Sequence, residues 1–387
     1  MAGARRRPEG RNRRPSAFFS PRDRLLALGR RLLLLLLFPV SRLYALWRRG
    51  QARLCAMGLC RTCRPGAVAV GVGGMSPESR GRVLLTSWLL GWAAAQDVGA
   101  AVVAPLGEGR PPALPYRVEP GGDPDDSGIE AALLASYAPD VRCLVDADPI
   151  RAATEAMRAF SPHLLVLQDA LGDPRLARDT ELAILTADDL GPGWDRVFPV
   201  GSWRRDASVL RSASAYCVFA APGALEATLA LAEKRLGATG KPIFSLSFDI
   251  WRWRGQGGTI AARDLAESPY VAVLGESDRD ILPDMLRRHI GAAPRMAFFV
   301  HDRHRFTRQD FESLRADAAR LKARNILTSP RFELKLRQGG AALYGHAVWT
   351  YDPEVVFGQS RNTDLTFLAW WESAFLAAAK GRIRPKA

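Results

Sequence analysis

From Gly66 onward, short apolar runs alternate with longer stretches in which apolar residues recur every three or four positions. AVAVGV (67–72) and AAVVAPL (100–106) read as strands, with RVLLTSWLLGWAAAQ (82–96) as the helix between them. VRCLVD (141–146) is the next strand and PIRAATEAMRAF (149–160) the next helix. HLLVLQD (163–169), LAILTAD (182–188) and AYCVFAA (215–221) continue the series. This alternation predicts an α/β fold with a mostly parallel sheet and helices on both faces. GATGKP (237–242) reads as a boundary. Beyond it IFSLSFDIWRW, YVAVLG, RMAFFVHD and ALYGHAVWTY alternate with two helices, which predicts a smaller C-terminal α/β unit. The expected organisation is a disordered basic tail (1–24), a membrane-associated amphipathic anchor (25–64), a larger α/β domain (65–238) and the smaller unit (239–387). Ligands of open parallel sheets gather at the carboxyl ends of the strands. The loops after Val72, Leu167, Thr186 and Val300 are therefore where chemistry is sought.

Charge changes the picture at one end only. The net charge is +14, yet residues 1–64 hold sixteen Arg and no Lys against Glu9 and Asp23, leaving 38 basic and 38 acidic residues elsewhere. A body of balanced charge argues against a nucleic-acid partner, and 387 residues suffice for two cores. The first 24 residues are rich in Arg, Pro and Gly, a composition that favours disorder. The following Leu-rich segment has an uninterrupted apolar run only from Leu32 to Val40, short of the ~20 residues a membrane span needs. Arginines beside Leu, Phe38, Tyr44 and Trp47 suit a helix lying among the headgroups of an anionic membrane. A buried helix with a basic tail and a secretory signal are the competing readings; no small-x-small cleavage site follows the Leu run.

Five cysteines are present, of which Cys60 and Cys63 form a single CxxC. Without a second pair or a nearby histidine this does not specify zinc, and reduced, incidental thiols are expected.

The loop Gly73-Gly74-Met75-Ser76-Pro77-Glu78-Ser79-Arg80-Gly81-Arg82 lies where nucleotide-handling α/β proteins carry a phosphate-binding loop. Together with six other segments it resembles the tetraacyldisaccharide 4'-kinase family of lipid A biosynthesis, over about residues 38–337. LFPVSRLYALWRRG is similar to that family's anchor, and SGIEAALLA to GDEPLLLA. LLVLQDALGDPRLARDTELAIL is similar to IIILDDGFQHxxLxRDLxIVV. VFPVGSWRRD, FFVHDRHRFTRQD and ILTSPRFELKL follow in the family's order, similar to LLPAGPLREP, FPDHHxFTxxD and LLTTEKDAVKL. The resemblance implies a P-loop-kinase-like fold and transfer of a phosphoryl group from ATP, with Mg²⁺, to a lipid A disaccharide precursor. It also implies attachment to the cytoplasmic face of the bacterial inner membrane.

Much of the machinery implied by the resemblance is substituted. GGTGKTP falls on residues 76–82, so its Lys becomes Arg80 and its Mg²⁺-binding hydroxyl becomes Gly81, while no Lys lies between Met1 and Lys234. Pro77 removes an N–H from the phosphate cradle. The Asp of GDEP becomes Ile129, leaving Glu130. In DDGFQH the first Asp becomes Gln168, Asp169 remains, and the His becomes Asp173. The first His of PDHH becomes Arg303, between Asp302 and His304. In LREP Arg204 remains and the Glu becomes Arg205; Glu-Lys-Asp becomes Pro330-Arg331-Phe332. The resemblance leaves Glu130, Asp169, Asp302 and His304 as catalytic candidates. It leaves Gly73, Gly74, Ser76, Ser79 and Arg80 as a degenerate phosphate loop. Arg82 and Arg204 are candidates for an anionic substrate or headgroup, or else solvated surface charges. Asp169 and Asp173 could share a metal or simply cap their turn, and no metal-ligand set is specified. Three functions compete: a 4'-kinase with weak or lost catalysis, a non-catalytic paralogue that binds the lipid precursor or regulates a true kinase, and a different transferase on the same fold.

Overall fold

The computed structural model describes residues 21–76, 81–138, 140, 142–255, 257–337, 343 and 345–383. Positions 1–20 of the expected tail, and Pro77, Glu78, Ser79 and Arg80 of the phosphate loop, lie outside the described residues. In chain order the elements begin with α1 (Pro21–Ala56), β1 (Val68–Gly74), α2 (Gly81–Ala95), β2 (Ala100–Pro105), β3 (Tyr116–Val118), α3 (Pro124–Ser127) and α4 (Ile129–Tyr137). Next come β4 (Arg142–Asp146), α5 (Pro149–Phe160), β5 (Leu164–Gln168), β6 (Thr180–Thr186), α6 (Ala187–Leu190), β7 (Ala215–Phe219) and α7 (Leu225–Leu236). The remainder is β8 (Ile243–Gly255), β9 (Gly258–Ile260), α8 (Ala262–Ala266), β10 (Tyr270–Gly275), α9 (Leu282–Ile290) and β11 (Met296–Val300). α10 (Arg308–Arg320), β12 (Asn325–Thr328), α11 (Pro330–Arg337), β13 (Ala347–Arg361) and α12 (Phe367–Ile383) complete the chain.

The strands form one sheet in the order β11-β10-β12-β13-β8-β7-β6-β1-β5-β2-β4-β3, with β9 on β8. Pairing is parallel except where β13 and β9 meet β8 and where β3 meets β4. β1 (VAVGVGG) and β5 (LLVLQ) are buried at every position, as expected of parallel strands covered on both faces. The linker at 237–242 feeds directly into β8, which pairs in parallel with β7 and in a long antiparallel ladder with β13. The sheet is therefore continuous from one half of the chain to the other.

Local chemistry explains the element ends. Asp148 accepts from Ile150 N (3.0 Å) and Pro149 supplies a preset φ at the start of α5, while Ser161 closes it in the left-handed region. Among the described residues beyond 242, the two expected helices become five, α8 to α12. α11 begins inside ILTSPRFELKL and ends one residue past it, and α12 packs Phe367 and Trp371 into the core, Trp371 beside Trp92 (ring centroids 5.4 Å). The β8–β13 ladder shifts register between Arg252 and Ile250, which leaves Trp251 without a partner and sets it apart from Trp253. Trp253 is buried, whereas Trp251 is exposed with the Arg252 guanidinium over its ring at 4.4 Å.

α1 docks on the body through few contacts. Ser41 donates to Val197 O (2.7 Å), Arg49 forms a two-nitrogen pair with Asp206 (2.9 and 3.0 Å), and Ala45 is buried. Phe38, Val40, Leu43, Leu46 and Trp47 remain exposed. Among the described residues no helix is long and apolar enough to cross a membrane. The expectation of reduced thiols is corrected here. Gly58, at φ +79°, turns the chain back so that the Cα atoms of Cys55 and Cys60 are 4.5 Å apart and the two form a disulfide. Cys63, Cys143 and Cys217 are free.

Candidate functional site

β1 and β5 end side by side beneath the start of α2, and the loop after β5 folds over β1. Asp169 N donates to Val72 O (2.7 Å). A Cβ on Gly73 would lie 2.5 Å from Leu171 Cβ, so this close approach requires glycine there. The Arg204 segment closes the same corner, its N–H donating to Met75 O (3.1 Å). From the other half come the loop after β11 and the first turns of α11. α4 and α11 meet through Leu133, Ala132 and Leu334. Between them lies a cavity of about 480 Å³.

Six of the expected site residues line that cavity: Arg82, Glu130, Asp169, Arg204, Asp302 and His304. Gly73, Gly74 and Ser76 sit at the end of β1, outside its lining, and Ser79 and Arg80 lie outside the described residues. The alternative that Arg82 is a solvated surface charge is corrected. Its side chain is 3% exposed, donating to Asp169 Oδ1 at 2.6 Å and to Glu130 Oε1 at 3.1 Å. Asp169, at φ +57°, also accepts from Arg204. Burial, then the charge of Arg82, lowers the pKa of Arg204. Both surviving acids of the β1–β5 corner are thus held by guanidinium groups.

The remaining acids are partnered elsewhere. Asp173 does not join Asp169: it pairs with Arg175 (2.7 Å) and caps that residue's N–H (3.0 Å). Burial pushes the Asp173 carboxyl up, but the Arg175 hydrogen bond, Arg175 N–H and charge outweigh it and hold it below the usual range. His304 is not paired with Asp302, as proximity in sequence suggested. It meets Asp310 (3.2 Å), which also closes the capping box of α10 with Thr307. Asp302 accepts from Ser277 Oγ (2.6 Å). Among the described residues no group of three His, Cys, Asp or Glu side chains is placed to hold a metal ion.

Of two positions that the resemblance marks as substituted, Gly81 has a structural correlate and Gln168 has none. Gly81 faces the sheet: a Cβ there would sit 3.0 Å from Ile184 and 3.2 Å from Leu246 and Phe219, so a larger residue fits only if those neighbours give by a few tenths of an ångström. Gln168 is 5% exposed and neither side-chain atom has a hydrogen-bond partner among the described residues. Sequence reasoning missed Lys335, which lines the cavity and donates to Asp302 O (2.7 Å) and His304 O (3.0 Å). Burial, then neighbouring Arg331, lowers its pKa to about 8. One signal was present. The chain has 48 Arg and only six Lys, and this Lys falls within a motif the family resemblance had already marked.

The sequence matches the family described as Tetraacyldisaccharide-1-P 4'-kinase over residues 33–369. The chain belongs to the tetraacyldisaccharide 4'-kinase family. A tetraacyldisaccharide 4'-kinase of Nitratidesulfovibrio vulgaris is 30% identical over 347 residues, covering 90% of this chain and 96% of the relative. One from Oleidesulfovibrio alaskensis is 29% identical over 345 residues, covering 87% and 94%. The fold matches a crystal structure of LpxK from Aquifex aeolicus in complex with ATP, with a TM-score of 0.66 at 18% identity, covering 89% of this chain and 99% of that one. The chain shares that fold, and at its centre Asp169 and Glu130 are both paired with Arg82.

Proposed function

We propose that the cavity receives the sugar head of a tetraacyldisaccharide lipid A precursor, and that transfer of phosphate from ATP to its 4' position is weak or lost. Membership of the kinase family supports the substrate class and ATP as the donor. One observation supports the loss: the Arg82 guanidinium lies between Asp169 and Glu130, where a phosphoryl-transfer site needs carboxylates available to a cation or a reacting hydroxyl. Mg²⁺ does not fit these residues, because the charges of Asp169 and Glu130 are already matched by Arg82 and Gly81 brings no hydroxyl. Ile129, where the family pattern has Asp, adds an apolar wall that can accept no proton.

A second reading is that phosphate contacts have moved to Lys335 and Arg331, which line the same cavity; Arg331 Nε is buried without a partner among the described residues. Calorimetry separates the two. Binding of the lipid disaccharide with little or no MgATP affinity supports the first, and micromolar MgATP affinity lost in Lys335→Met supports the second.

The exposed row Phe38, Leu43, Leu46 and Trp47 supports a peripheral helix that α1 lays on a membrane, with its arginines among anionic headgroups. The cytoplasmic face of the bacterial inner membrane is the surface this reading assigns.

A further inference from the structure

A second, smaller cavity of about 320 Å³ lies where α1 meets the body, lined by Arg48 and Arg49 of α1, Arg178 before β6, and Arg205, Ser208 and Ser212. Two of its four arginines are matched. Arg49 is paired with Asp206, and Arg178 with Glu181 (3.0 Å) and the carbonyl of Asp173 (2.6 Å). Two are not. Among the described residues Arg48 has no carboxylate partner: it donates to the neutral Gln51 (2.9 Å), lies over the Trp47 ring (5.7 Å), and its Nε is buried without a hydrogen-bond partner. Arg205 makes no hydrogen bond or ion pair with any described residue. The carboxylates facing it, Asp173 and Glu181, are already engaged by Arg175 and Arg178. Burial, then Arg48, lowers the pKa of Arg205 to about 10. An unmatched, half-buried guanidinium beside another is costly unless an anion joins it.

The geometry points to a phosphate-binding site here, formed by Arg48 and Arg205 and separate from the central cavity, whose ligand is the phosphate of a membrane lipid. Two unbalanced guanidinium charges match a phosphomonoester, which carries about −1.5 to −2 at neutral pH, and arginine forks fit its oxygens. A lipid is favoured as the source because the same helix exposes Leu43, Leu46 and Trp47 within two turns of Arg48. Arg204 and Arg205 are consecutive, so one loop presents a side chain to each cavity. The LREP motif that this segment resembles has a carboxylate where this chain has Arg205. The lipid source rests on the membrane-lying reading of α1, whereas the phosphate site itself does not.

The test uses the full chain, Arg205→Gln, Arg205→Glu and a control, Arg211→Gln, which removes a charge from the same segment outside the cavity. Sedimentation is measured with vesicles of phosphatidylcholine alone, and with phosphatidic acid or phosphatidylglycerol at matched surface charge; inorganic phosphate is titrated without vesicles. The expected result is tighter binding to phosphatidic acid than to phosphatidylglycerol, lost by about tenfold in both Arg205 variants and kept in Arg211→Gln. Equal loss for all three variants, or none, overturns the site. Phosphate binding in solution that depends on Arg205, with no vesicle binding at all, overturns the lipid source and the membrane reading while keeping the pocket. Arg205→Gln with wild-type melting keeps the comparison free of folding effects.

Discussion

Arg82 donates to Asp169 Oδ1 at 2.6 Å from a side chain that is 3% exposed. A buried cation in the middle of a family site has an energetic signature. Removing one member of a buried ion pair leaves the other uncompensated, at a cost of about 3–5 kcal/mol. Arg82→Met is expected to lose stability on that scale in urea unfolding. Asp169→Asn in the same chain should recover part of it, because the two sites are coupled rather than additive. Additive losses would show that the pair is incidental.

Gly81 carries a second expectation. Restoring the family's hydroxyl by Gly81→Thr places a Cβ 3.0 Å from Ile184 and 3.2 Å from Leu246 and Phe219. Overpacking of this kind costs about 1–3 kcal/mol. The variant should melt earlier and gain no MgATP affinity by calorimetry. A stable variant with new nucleotide affinity would mean that position 81 faces the ligand.

Lys335 predicts a pH effect of defined sign. Its folded pKa of about 8 lies below the usual 10.5 because burial disfavours the ammonium. Between those values the unfolded chain binds the extra proton, so stability should rise with pH through this window relative to Lys335→Met. Below pH 8 both states are protonated and the difference should be flat. Urea midpoints of the two proteins from pH 7 to 10.5 check this, and a falling difference would contradict it.

The exposed face of α1 predicts membrane behaviour. Leu43→Glu with Leu46→Glu should abolish sedimentation with anionic vesicles while leaving the melting temperature of the body unchanged. High salt should weaken wild-type binding only in part, because the apolar contribution is not screened. Retention by the double variant would place the membrane contact elsewhere.

Most of the frame was legible because buried parallel strands are nearly pure apolar runs. β1, β5 and β10 fall where AVAVGV, HLLVLQD and YVAVLG place them. What escaped is what local pattern cannot carry. β3 and β9 are three residues long, and ALYGHAVWTY reaches only the first five residues of β13, whose remainder (DPEVVFGQSR) mixes charge and proline into a strand sustained by its ladder to β8. At the site, motif order brought Glu130, Asp169, Asp302 and His304 to one cavity, but pairings depend on tertiary approach. The sequence spacing of Asp302 and His304 gave no hint that Ser277 and Asp310 would take them as partners. Nor could it show that Arg82, one residue past a glycine loop, turns inward to hold two carboxylates from other elements.

The most direct test is phosphoryl transfer itself. Purified full-length protein is mixed with MgATP and a tetraacyldisaccharide-1-phosphate in mixed micelles, and addition of a phosphate is followed by mass spectrometry. With Arg82 occupying the carboxylates, turnover is expected to lie far below the ~1–100 s⁻¹ usual for kinases, although the lipid still binds. Turnover within that range would contradict the account and show that the Arg82–Asp169–Glu130 cluster opens to do the chemistry.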